Sequence, residues 1–274
     1  MPAGGPGTRR GRGCFTLYPT DPMERRLTFL LSFVTGFADT VGYVALSGLF
    51  IAQLTGNLVL VGAGLVHGDD ANAVNRLLLI PVFMLGAGAA SRVSARLPKV
   101  IRTSFPVLLT LESGLLLLFA GLGHLLQTRH HALSPAGIFW VAAPGVLAMA
   151  VQNASVRQYF PGYVSTTVMT TNFTQFSVDL AGYLAGYLAG RVRAGERTPE
   201  AGQRRQQRAG RLQRYGAALG GFVTGTAAGA WLAAGAGLAA VAVPALLVLA
   251  MAGLARFAPS APAALYPLPH PHEP

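Results

Sequence analysis

Apolar runs recur along the chain at about 27–46, 50–68, 77–97, 107–126, 138–158, 164–190, 215–234 and 238–256. Each is near the ~20 residues that a helix needs to span the hydrocarbon of a bilayer, so the pattern predicts an all-α, polytopic membrane helix bundle. Pro98, Pro106, Pro135 and Pro161 are read as punctuating or ending these runs, and Asp69 and Asp70 separate the second from the third. Residues 1–24 read as a disordered polar tail, 25–257 as the integral membrane domain, 191–214 as an arginine-rich loop and 258–274 as a Pro-rich tail. The first run begins only at Leu27 and continues past any small-residue cleavage site. The first helix is therefore expected to stay in the protein and not to be a signal peptide.

Composition strengthens this picture. Of 274 residues, 52% are hydrophobic and only 11% charged, against roughly 25% charged in an ordinary soluble domain. Too few charges remain to clothe a water-facing surface, and the lipid bilayer is the expected partner. The net charge of +11 falls between apolar segments and on no nucleic-acid-binding pattern, so no nucleic acid is expected. The lone Cys14 allows no intrachain disulfide. His67, His124, His130 and His131 form no clustered ligand set, so neither a metal nor a cofactor is expected.

Two stretches resemble each other. Residues 37–65 and 147–180 each carry a polar break followed by TGN or TTN, with 18 residues from Asp39 to Asn57 and 19 from Asn153 to Asn172. The next runs begin at Arg76 and Arg214. The economical reading is two related halves, about 27–126 and 138–256. The positive-inside rule chooses how to thread them. With eight full crossings the basic residues split 16 inside to 5 outside, whereas six crossings, with 50–68 and 164–190 entering and leaving on one side, give 19 to 2. Six crossings plus two broken or re-entrant segments fit better, with eight full crossings as the alternative. Such halves have opposite orientations, as in inverted-repeat transporters. The breaks are placed at Thr55, Gly56, Thr170 and Thr171, since an interrupted backbone is tolerated in a membrane only where protein or a wet cavity shields it.

GFADTVGYVALSGLFIAQLTGN (36–57), VLAMAVQNASVRQ (146–158) and TTVMTTNFTQFSVDLAG (166–182) resemble the YoaK family of bacterial integral membrane proteins, domain of unknown function 1275. The resemblance covers roughly residues 25–256 and departs at TTN, where TGN would have matched the first half. It implies a multi-helix fold in the bacterial cytoplasmic membrane and supplies no substrate or reaction.

Three carboxylates, Asp39, Glu112 and Asp179, fall within apolar runs. A charge at membrane depth costs at least ~2.5 kcal/mol on insertion scales, so such groups face the bundle interior and carry function by default; the alternative is a hydrogen-bonded packing residue. Gln152 and Asn153 hold in the second half the position of Asp39 in the first, and with Asn57 and Asn172 they are candidates to bind a polar solute or ion, or else to bond helices together. Glycines at 182, 186 and 190, and at 221, 225 and 229, would let helices approach closely, within the chain or in a homo-oligomer. No catalytic constellation is seen, so an enzyme is not expected. The reading is a secondary transporter of a small polar or ionic solute, with Asp39 coupling a proton or cation and the N-terminus and 191–214 cytoplasmic. The alternative is a structural or signalling membrane subunit.

Overall fold

The computed structural model describes residues 22–67, 72–98, 101–129, 133–160, 163–192 and 199–257. Of the tails expected at 1–24 and 258–274, residues 1–21 and 258–274 lie outside these residues, whereas 22–24 form the first turn of α1 and not a polar tail. The elements are α1 (Pro22–Ala45), α2 (Leu54–His67), α3 (Ala73–Arg96), α4 (Ile101–Arg129), α5 (Pro135–Tyr159), α6 (Met169–Val192), α7 (Pro199–Ala236), a 3₁₀ turn (Gly237–Val241) and α8 (Ala242–Phe257). Among the described residues there is no strand.

Three further expectations are corrected. The loop expected at 191–214 is helical from Pro199, because its Gln, Arg and Ala residues are good helix formers that carry α7 outward in one piece. Pro106 does not end a run: it lies inside α4, as Pro81 lies inside α3 and Pro144 inside α5. The backbone breaks fall upstream of the two TxN motifs, at 46–53 and, among the described residues, at 163–168, so Thr55, Gly56, Thr170 and Thr171 occupy the first turns of α2 and α6. Threonine and glycine are poor helix formers in isolation, but a first turn needs few intrahelical N–H bonds, so it tolerates them. Other termini follow local chemistry. Ser134 caps α5, its Oγ accepting from Gly137 N–H at 3.1 Å with Pro135 in the first turn. The α1 helix closes with Gly48 N–H donating to Tyr43 O at 2.8 Å while Ser47 takes φ 54°, a Schellman-type end with serine where glycine is usual.

Contacts between helices fix their directions. Phe29, Phe33 and Phe37 of α1 meet Gly221, Gly225 and Gly229 of α7 in order, so α1 and α7 run parallel. Asn75 meets Pro135, Gly86 meets Leu147 and Ser94 meets Tyr159, so α3 and α5 are also parallel. Phe105 against Phe160 and Gly145 against Phe119 make α4 and α5 antiparallel. Ser113 with Ala245 and Gly123 with Leu238 do the same for α4 and α8. Gln152 reaches Leu31 and Thr35 while Ile51, beside Asp39, touches Gly145, so α5 runs against α1.

Among the described residues, five stretches are long and apolar enough to span a membrane, Pro22–Ala45, Ala73–Arg96, Thr103–Thr128, Pro135–Tyr159 and Gly202–Arg256; with the last turning back between α7 and α8, these directions fit six crossings. The 14 residues of α2 extend only about 21 Å, short of the ~30 Å hydrocarbon. That helix starts at the depth of Asp39 and returns to the end where α1 finished. The α6 helix starts near the depth of Gln152 and runs antiparallel to α7, with Phe176 beside Gly216, Asp179 on Arg211 and Gly182 against Arg208. It leaves at the end where α5 finished. Its partner α7 has 38 residues, about 57 Å, so its polar first turns project beyond the bundle with α6 alongside.

The neighbour pattern is preserved when the halves are exchanged: α1 with α7 becomes α5 with α3, α2 with α3 becomes α6 with α7, α4 with α5 becomes α8 with α1, and α4 with α8 maps to itself. Leu31, Val34, Phe37, Leu116, Phe119, Val146, Met149 and Leu238 fill the centre. Val59, Leu85, Trp140, Trp231 and Leu254 are exposed, an apolar exterior suited to lipid and not to water.

Candidate functional site at the two chain breaks

The first break is built around Asp39. Its Oδ1 accepts from the N–H groups of Ile51 at 2.8 Å and Ala52 at 2.6 Å, so the carboxylate replaces the helical partners that an interrupted backbone lacks. Oδ2 is buried; Gln53, next after Ala52, also approaches this carboxyl group, and Oδ2 has no other partner among the described residues. Seven residues apart, Asn57 and Phe50 are joined twice: Phe50 N–H donates to Asn57 Oδ1 at 2.9 Å and Asn57 Nδ2 donates to Phe50 O at 2.8 Å. The outer edge is held by Arg76, which is buried and donates to the carbonyls of Ser47 at 3.3 Å and Gly48 at 3.4 Å. A guanidinium at a helix C-terminus satisfies orphan carbonyls and opposes the negative end of the dipole.

The second break repeats the plan with neutral groups. Gln152 Nε2 shares its two N–H groups among Leu31 O, Thr35 Oγ1 and Thr166 Oγ1, all at 3.0–3.2 Å, tying α5 both to α1 and to its own break. Thr167 Oγ1 donates to Asn153 Oδ1 at 2.8 Å. Asn172 Nδ2 donates to Ser165 O at 2.7 Å, again seven residues back. The amides of Asn57 and Asn172, expected to meet a solute, thus hold backbone. Short range explains this, since each reaches the extended segment that leads into its own helix.

Both breaks meet a polar stripe on α1. Glu24, Thr28, Ser32, Thr35 and Asp39 are all buried and recur every three or four residues, so they share one face. Ser32 Oγ and Gln152 Oε1 are buried oxygens without a partner among the described residues. At the lower end Glu24 pairs with Arg214 at 3.3 Å. Glu112 is buried on α4 with neither oxygen partnered among the described residues; no contact joins it to either break. Asp179 lies apart, bonded to Arg211 at 2.8 Å and to Gln175 at 3.1 Å, and fastens α6 to α7.

A cleft of about 360 Å³ opens at the second break between Asn153, Val156, Arg157, Phe160, Tyr163, Ser165 and Thr166. A second groove of about 460 Å³, against α3, shares Asn153 and Arg157. Sequence reasoning took Arg157 only as a charge to be placed by topology. Ser32, Thr35, Ser165 and Thr166 also escaped it, although the 4-3-4 spacing of Thr28, Ser32, Thr35 and Asp39 was a readable signal. The glycine faces of α7 meet α1 within the chain: a Cβ on Gly229 would lie 2.9 Å from Phe37 O, and Gly221 and Gly225 sit closer still to Phe29 O and Phe33 O. That stripe is therefore closed to a second copy.

Comparison with known proteins points to a membrane protein. A family model described as "Protein of unknown function (DUF1275)" matches residues 27–254. The "UPF0700 transmembrane protein YoaK" of Bacillus subtilis (strain 168) is 26% identical over 157 residues, covering 57% of this chain and 67% of that protein. No solved structure matches.

Proposed function

Starting from the membership of this chain in the DUF1275 family of membrane proteins, we propose that it is a secondary transporter of a small polar or ionic solute, not an enzyme, in the bacterial cytoplasmic membrane. One observation carries the reading: two interrupted segments enter the bundle from opposite ends, and each is fastened at depth by a buried polar residue, Asp39 in one half and Gln152 with Asn153 in the other. Broken helices in oppositely oriented halves are the architecture in which alternating access works, because each half can open one end while the other stays closed. A carboxyl group buried in hydrocarbon is costly, and its position at the backbone break supports a functional role for Asp39.

In this reading Asp39 is the coupling group. Its Oδ1 holds the break and its Oδ2 is left for a proton or cation, so loading and release act directly on the backbone of Ile51 and Ala52. Gln152 and Asn153 contact the solute, and Asn57 and Asn172 keep the re-entrant segments in register. Arg25, Arg26, Arg92, Arg96, Arg157 and the α7 arginines share one end, which the positive-inside rule makes cytoplasmic. Metabolite comparison of a deletion strain with its parent identifies the solute. With that solute in proteoliposomes, the native chain shows pH- or cation-dependent uptake, and Asp39→Asn keeps binding but loses that dependence. Uptake with an unchanged pH and cation profile in Asp39→Asn would remove Asp39 from coupling. Vesicles that take up none of the solutes altered by deletion would instead point to a structural or signalling subunit.

A further inference from the structure

We infer that the cleft at the second break is a subsite for a small organic carboxylate, with Arg157 as its charge partner; this rests on the transport reading above and names the class of solute. The argument is one of hydrogen-bonding capacity. A hydroxyl has one donor and two acceptor positions. Ser165 Oγ already accepts from the N–H groups of Thr167 at 3.5 Å and Val168 at 3.2 Å, and Thr166 Oγ1 accepts from Gln152 at 3.1 Å. Asn153 Oδ1 accepts from Thr167. Ser165 Oγ thus has both acceptor positions filled and Thr166 Oγ1 one of two, and each hydroxyl still has its O–H to offer. Arg157 adds five N–H donors and a permanent charge. No aspartate or glutamate lines the cleft, and no carboxylate pairs with Arg157 among the described residues.

A lining rich in donors and positive in charge fits an anion. The guanidinium fork matches a carboxylate through two parallel bonds. Val156 and Phe160 give the cleft an apolar wall, and Phe160 stacks on Tyr163 with ring centroids 4.8 Å apart. A carboxylate on an apolar body satisfies both sides. Arg157 is exposed at the mouth, but the inner wall runs deep, since Thr166 is 3% exposed and is bonded to Gln152, which itself reaches α1; that depth favours a soluble solute over a lipid headgroup. The two breaks then have complementary chemistry. Asp39 offers unfilled acceptor capacity for a proton or cation in one half, and Arg157, Ser165 and Thr166 offer donors for an anion in the other. Joint movement of an anion with a proton or cation follows.

Calorimetric titration of the full chain in a neutral detergent tests this with benzoate, butyrate and acetate as probes and benzamide as the uncharged twin of benzoate. Benzoate is expected to bind and benzamide to bind far more weakly. Arg157→Gln should weaken benzoate at least about tenfold, the loss expected for one charge-assisted pair. Thr166→Val should weaken it by a smaller factor, and Arg92→Gln, an exposed arginine at the same end outside the cleft, should leave it unchanged. If Arg157→Gln does not fold, Arg157→Lys and Thr166→Val carry the test. Absence of carboxylate binding, equal binding of benzamide, or benzoate binding unaffected by these cleft variants overturns the inference. So does native mass spectrometry showing an anionic phospholipid that benzoate does not displace and that Arg157→Gln loses, because the cleft then belongs to lipid. Carboxylate binding that depends on Arg157 without flux in proteoliposomes supports the cleft and removes transport; flux that survives Arg157→Gln supports transport and removes the cleft.

Discussion

At the scale of single residues, the two asparagines of the TGN and TTN motifs do the same work. Asn57 satisfies both backbone groups of Phe50, and Asn172 takes the carbonyl of Ser165. A side-chain amide carries a donor and an acceptor in the geometry of a peptide group, so it substitutes for a missing helical neighbour. Asn57→Ala leaves a buried N–H and C=O unpaired. It is expected to destabilise the protein by about 1–3 kcal/mol, read as an earlier unfolding midpoint in a denaturing detergent. The importance of Asn57 and Asn172 was legible in the sequence from their recurrence. Their role was not, because an amide in an apolar run reads the same whether it faces a solute or its own backbone.

At the scale of elements, close approach of α1 and α7 organises the bundle. Gly36 of α1 lies on Phe222 O, while Gly221, Gly225 and Gly229 of α7 lie on the carbonyls of Phe29, Phe33 and Phe37. Without a hydrophobic drive between helices in lipid, such dispersion contacts supply much of the association. Gly225→Val places its side chain into the Phe33 backbone, which cannot yield as a flexible side chain would. The expected cost is about 1–3 kcal/mol or more, measured by thermal unfolding in detergent. Gly186→Val, at a glycine with open space around it, should cost far less. A four-residue glycine spacing announces a packing face, yet it does not say whether the partner is in the same chain. Elements were also misjudged where polarity was taken for irregularity. The arginine-rich residues from Pro199 form the projecting turns of α7, because charge and helicity are compatible wherever a helix leaves the membrane.

For the whole molecule, the six-crossing arrangement makes a prediction that separates it from eight. In a variant with Cys14 replaced by alanine, Ser47→Cys and Gln158→Cys should label from opposite faces of the membrane, Ser47→Cys from outside and Gln158→Cys from the cytoplasm. Eight crossings would place both outside. Impermeant maleimide on intact and opened cells reads the difference. The directions of α2 and α6 underlie the expectation, since each begins at depth and returns to the face its predecessor reached.

The apolar runs, the scarcity of charge and the distribution of arginines by themselves determined a helical membrane bundle and the preference for six crossings. These properties depend on the solvent each segment meets, and solvent preference is written residue by residue. Tertiary structure alone decided that the breaks precede the TxN motifs, that Asp39 caps the first break while Gln152 and Asn153 hold the second, and that Arg157, Ser165 and Thr166 share a cleft. Those facts depend on which donors and acceptors are brought within about 3 Å of one another. That proximity arises only when helices distant in sequence have packed.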